Sequence, residues 1–145
     1  MVIAEKVARL ERVDVDNIVD SSLREVEKFI LELNQIQLYE QGVIDVTKPS
    51  KREKYAASTI RAKQKRATYK KTEFITLRWD GDFYESFKLI IFDKVFVIQA
   101  TDLKWANWLE PNERFGNALG LTEKSKDDLK KEILPVFIRR VRNEL

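Results

Sequence analysis

The sequence predicts an α+β fold, with long helices near both ends and an antiparallel hairpin between them. Three features carry that prediction. Val19, Leu23, Val26, Ile30 and Leu33 recur at spacings of 4, 3, 4 and 3, which places them on one helix face. "FKLIIF" and "KVFVIQA" flank Asp93-Lys94, the pattern of a β-hairpin turning there or one residue either side. Leu129, Ile133, Phe137 and Val141 then form the apolar face of a second long helix. At 145 residues the chain suits one domain large enough to bury a core.

Taken in order, Ile3, Val7 and Leu10 begin a short helix that "VDVDN" interrupts. Residues 1–17 are read as an arm or short helix, and 18–145 as a single domain. Asp16 to about Glu40 is predicted as one uninterrupted helix, widened on its apolar side by Phe29 and Ile36 and capped by Gly42. Residues 48–71 form a basic loop. It holds ten Lys or Arg against the single acid Glu53, a net +9, so the rest of the chain carries −6 of the overall +3. Lys48-Pro49-Ser50 marks a turn, and "ASTIRAKQKRA" a short basic helix with Ser58 or Thr59 as N-cap. With so few apolar groups, this segment is expected to stay mobile until something binds it.

The hairpin strands are almost continuously apolar, which predicts a sheet covered on both faces, by the chain's own helices or by another subunit. "DLKWANWLE" follows as a helical turn or two ended by Pro111, with Trp105 and Trp108 on one face as core or as an interface anchor. The last helix is predicted from Ser125 to Leu145, opened by a capping box of Ser125 and Asp128 and kinked at Pro135.

Composition excludes much chemistry. The chain has no His and no Cys, so it lacks the usual general base, the thiolate nucleophile and the common ligands of zinc, haem and iron–sulfur clusters. "MVIAEKVARLERV" is charged throughout and predicts no signal peptide, and no stretch approaches the ~20 apolar residues of a membrane span. A reducing cytoplasm, or an assembly built there, is the expected setting. No phosphate-binding glycine motif occurs, and no cofactor is expected.

"RWDGDFYESF" (78–87) poses the sharpest choice between chemistry and scaffold. Asp80, Asp82 and Glu85 do not follow the ligand order of a calcium loop, and Ser86 has no histidine to activate it. A structural corner requires less. Gly81 permits a tight turn, Asp80 or Asp82 caps the short helix "DFYESF", and Phe83 and Phe87, four apart, dock on the sheet.

At "LRWDGDFYESFKLIIFDKVFVIQA" the chain resembles the small neck and tail-completion proteins of tailed bacteriophages, a group that includes minor tail and virion-morphogenesis proteins. Their corner runs Leu-x-x-Thr-Gly-x-Leu-x-x-Ser-hydrophobic, followed by a hairpin, a Phe-Gly segment and a C-terminal helix. Leu77, Gly81, Phe83, Ser86 and Phe87 stand in those corner places, and "RFGNALGLT" (114–122) in the later one. Asp80 replaces the usual Thr, which keeps a capping oxygen. The chain is most similar to such proteins from phages of Bacteroidetes hosts, crAss-like phages among them, in combining "GDFYxSF" with "GLT" downstream of "NQIQLYEQG" and "STIRAKQKR". The resemblance covers roughly 34–145. It implies a small curved antiparallel β-sheet packed by the helices, in a ring-forming, non-enzymatic subunit at the head–tail junction or in the tail.

On that reading Asp80, Gly81, Asp82, Phe83, Ser86 and Phe87 are structural. The subunit or partner interface is assigned to Leu89, Ile91, Val95, Val97, Trp105, Trp108 and Phe115. Lys63, Lys65, Arg66, Lys70 and Lys71 are expected to contact an acidic neighbour, such as a portal, neck or tail protein, or packaged DNA. The separated charge suits a heterologous ring interface. The alternative is sequence-independent nucleic-acid binding through residues 48–71, or simply a solvated loop.

Overall fold

A computed structural model describes residues 3–66, 68–112 and 114–145. Residues 1 and 2 of the expected arm, and Ala67 within the basic segment, lie outside the described residues. The fold is α+β. Helices α1 (Ile3–Glu11), α2 (Val15–Glu25) and α3 (Glu27–Tyr39) come first, then α4 (Ala57–Gln64) and the single turn α5 (Asp82–Glu85). Strands β1 (Phe87–Phe92) and β2 (Val95–Ala100), a π-helical turn (Trp105–Leu109) and α6 (Glu123–Glu144) complete it.

The predicted long helix is two helices. Ser22 Oγ donates back to the Ile18 carbonyl at 2.7 Å, a bond that competes with the helical ladder, and the break falls at Val26 (φ −102°, ψ 15°). Beyond Val26 the buried stripe is re-phased. Ile30, Leu33 and Leu38 are buried together with Asn34 and Gln37, while Ile36, predicted on the apolar side, is exposed. Gly42 lies two residues past the cap at Glu40, with φ 67°; a Cβ there would meet the Phe74 ring at 2.6 Å.

The hairpin turns at Asp93-Lys94 as predicted, both in the left-handed region (φ 49° and 64°), the geometry of a type I′ turn. Lys94 N–H donates to Asp20 Oδ1 at 3.1 Å and its ammonium pairs with Asp16, which ties the turn to α2. The sheet is a two-stranded ribbon. Pairings Phe87–Ala100, Leu89–Ile98 and Ile91–Phe96 form the inner face, packed on α2 and α3. There Phe87, Leu89 and Ile98 join Leu23, Val26, Ile30 and Leu33 in the core.

Helix α6 packs along α2, and Glu25 bridges the two by bonding Arg139 and Arg140. The Arg139 bond, helped by Arg140, holds the Glu25 carboxyl below its usual range. The helix starts two residues before the predicted Ser125. Thr122 is its N-cap, accepting from Ser125 N–H at 3.2 Å, so Ser125 lies in the first turn and Asp128 pairs with Lys124. It is helical through to Glu144, with Pro135, the predicted kink position, inside it. Likewise α4 begins at Ala57, ahead of Ser58 and Thr59, with no side-chain cap. No helix among the described residues is long and apolar enough to cross a membrane.

Candidate functional site

The corner is built from its aromatic residues. Gly81 adopts φ 90°, and the Asp82 N–H donates to Asp80 Oδ1 at 3.0 Å. The turn therefore aims Phe83 and Tyr84 inward. Phe83 packs edge-on against Phe87 with ring centres 5.0 Å apart and stacks on Trp105 at 5.4 Å. Tyr84 O–H donates to the Thr76 carbonyl, and Thr76 N–H in turn donates to Tyr55 Oη at 2.9 Å. Burial drives the Tyr84 phenol far above its usual range. Ser86 Oγ donates to the Phe83 carbonyl at 2.7 Å, closing the turn. Asp82 and Glu85 face solvent, and among the described residues no three carboxylates gather as metal ligands.

Asp80 Oδ2 also accepts from Lys104 Nζ at 2.9 Å, which staples the corner to the π-helical turn. That hydrogen bond lowers the Asp80 value and raises the Lys104 value. For Asp80 the folded value lies below the unfolded one. The stabilisation is therefore present above the ordinary carboxylate range and is lost as pH falls through the folded value. For Lys104 the sign reverses, and its share is lost only as pH rises through a raised lysine value. Asp80→Asn keeps the oxygen at the Asp82 N–H but removes the charge. Its urea midpoint is expected to fall below wild type at neutral pH and to converge with it at about pH 2. A difference that persists in acid would assign the effect to the turn rather than to the ion pair.

The basic segment does not stand free. Lys63 is only 1% exposed. Its ammonium donates to the Arg78 carbonyl at 2.7 Å and lies 5.1 Å from the centre of the Tyr55 ring and 5.6 Å from that of Trp79. Burial pulls its value below the usual lysine range, with Arg66 adding to the shift. The Arg66 guanidinium covers Trp79 at 4.4 Å. Lys71 lies over Tyr39 and Phe74 and pairs with Glu40. Of the five predicted contacts, Lys65 and Lys70 are exposed as expected, whereas Lys63, Arg66 and Lys71 are engaged on aromatic faces. Arg78 sits among Tyr39, Tyr69 and Tyr84, 4.3–5.0 Å from their ring centres. Cations on ring faces let this apolar-poor segment pack on the core.

The predicted interface residues divide. Leu89 is buried and Ile91 half-buried on the inner hairpin face, and Trp105 is core. Phe115 is half-buried beneath Arg114, which pairs with Glu53 at 2.6 Å. Val95 and Val97 lie on the opposite face with Ile90 and Phe92. That face is open: Phe92 is 56%, Val95 53% and Val97 39% exposed. The chain's own helices thus cover one side of the hairpin only, where the apolar strands predicted cover on both. Trp108 does not share a face with Trp105. The Glu110 N–H reaches back five residues to the Trp105 carbonyl at 2.8 Å, and this wider turn swings Trp108 outward to 71% exposure.

Two residues of structural consequence escaped the sequence reading. Asn34 Nδ2 donates to the Ala118 carbonyl (3.1 Å) while its Oδ1 accepts from Gly120 N–H (2.9 Å). Gln37 Nε2 donates to the Gly120 carbonyl (2.9 Å) and its Oε1 accepts from Thr122 N–H (3.0 Å). Both side chains are fully buried. A signal existed, since Ile30, Asn34 and Gln37 continue the 4, 3 spacing with polar groups on a buried face. Comparison with protein-family models, with curated proteins and with solved structures finds no match.

Proposed function

We propose that this chain is a non-enzymatic structural subunit of a tailed-phage virion. It forms a ring at the head–tail junction or in the tail and joins adjacent rings around the DNA channel. The observation that carries assembly is the outer hairpin face, where Phe92, Val95 and Val97 lie exposed beside a half-buried Ile90, apolar on both strands and left open by the described residues. The phage setting rests on the resemblance of residues 77–87, the hairpin and the Phe-Gly segment to neck and tail-completion proteins. The corner residues have scaffold partners, consistent with a protein that works by contact.

The double variant Val95→Lys, Val97→Lys places two charges on that face without touching the core. The wild type is expected to form species larger than its 17.1 kDa protomer by light scattering, alone or with neck and tail proteins. The variant should remain a folded protomer with unchanged circular dichroism. A wild type that stays a protomer throughout overturns the reading. The engagement of Lys63, Arg66 and Lys71 on ring faces weakens nucleic-acid binding as the alternative. Steeply salt-dependent binding of duplex DNA, lost on changing Lys65 and Lys70 to Glu, would restore it.

A further inference from the structure

Between the corner and the π-helical turn lies a cleft of about 200 Å³, walled by Tyr55, Leu77, Trp79, Phe83 and Trp108, with Lys63 among its lining residues. Its surroundings are short of negative charge. Lys63, Arg66 and Arg78 crowd around Trp79 and the tyrosines, and among the described residues none of the three is in ion-pair contact with a carboxylate. The Nε atoms of Arg66 and Arg78 are buried with no acceptor. Lys63 has three N–H donors and one acceptor, the Arg78 carbonyl; its remaining donors have only ring faces nearby. Asp80, the one carboxylate among the lining residues, is matched by Lys104 and the Asp82 N–H. Holding the Lys63 ammonium away from water without a counterion is unfavourable, and ring faces offset only part of that cost.

We infer that this cleft is a binding site for a small carboxylate carried on a flat apolar body. The walls favour that class over phosphate, because a doubly charged group needs more donors than a mostly apolar cleft supplies. A ring slides between Trp108 and Phe83, burying apolar area, while the carboxylate turns toward Lys63. The charged half of that chemistry is presented by a free aromatic acid and also by an acidic side chain of a protein neighbour.

Tryptophan fluorescence reports the site directly, since Trp79 and Trp108 line it. Titration with phenylacetate is expected to saturate at millimolar concentration or below, and its uncharged isostere phenylacetamide to bind at least about tenfold more weakly. Lys63→Met, which keeps the stem and removes the charge, should cost about tenfold in phenylacetate affinity. Trp108→Ala, at an exposed position, should weaken binding severalfold in a normally folded protein. If Lys63→Met does not fold, Lys63→Gln, whose amide can still donate a hydrogen bond, supplies the same readout. N-acetylaspartate amide separates the sources: binding as tight as phenylacetate points to a protein side chain, and weaker binding to a free aromatic acid. Equal binding of acid and amide, no saturation by about 10 mM phenylacetate, or unchanged affinity in the folded charge variants overturns the site. These substitutions leave the outer hairpin face intact, so the result is independent of ring formation.

Discussion

Asn34→Leu is expected to lower the free energy of unfolding by about 3–4 kcal/mol, because it strands two buried backbone groups at once, the Ala118 carbonyl and the Gly120 N–H. Gln37→Leu should cost a similar amount through the Gly120 carbonyl and Thr122 N–H. The double variant should lose less than the sum. Once one amide is gone, the 118–122 segment swings toward water and the second amide has less to hold. The loss is a large share of the roughly 5–15 kcal/mol typical of a domain. Urea denaturation reads the free energies, and hydrogen exchange at Gly120 and Thr122 locates them. A cost under about 1 kcal/mol would mean that the segment finds other partners. The clamp also gives a physical reason for "NQIQ" and "GLT" to occur together, since each supplies the other's hydrogen bonds.

Phe83→Ala should destabilise by about 3–5 kcal/mol, the range for deleting a buried aromatic ring. Phe83 touches Tyr84, Phe87 and Trp105, so its removal opens a cavity where the corner, the hairpin and the π-helical turn meet. Asp82→Ala, two positions from Asp80, should change stability by less than about 0.5 kcal/mol, since its carboxylate faces solvent. The pair of results separates scaffold from chemistry. If Asp82→Ala folds normally but abolishes assembly, the corner is a contact site and its role has been misassigned.

The hairpin shows what was readable from local pattern. Its turn near Asp93-Lys94 was legible because two apolar runs flank a polar pair, whereas its type I′ geometry, with positive φ at two non-glycine residues, was not. The cover on each face was not readable. Residues alternate sides, so Leu89 is core and Val95 is exposed although both sit in equally apolar runs. The cation cluster was missed for a related reason. A lysine-rich stretch has the composition of a solvated loop, and only the arrival of Tyr55 and Trp79 from distant positions turns Lys63 into a buried group, while Tyr39 and Tyr84 half-bury Arg78.

By itself the sequence determined what depends on neighbours along the chain: the α+β class, the amphipathic helices, the hairpin turn and the glycine-dependent corner. The missing His and Cys also narrowed the chemistry before any fold was known. Tertiary structure alone decided the break at Val26, the amide clamp from Asn34 and Gln37, the outward swing of Trp108 and the burial of Lys63. The amide clamp and the burial of Lys63 depend on groups far apart in sequence meeting in low-dielectric surroundings. There the pairing of a polar group, rather than its local propensity, decides where it sits.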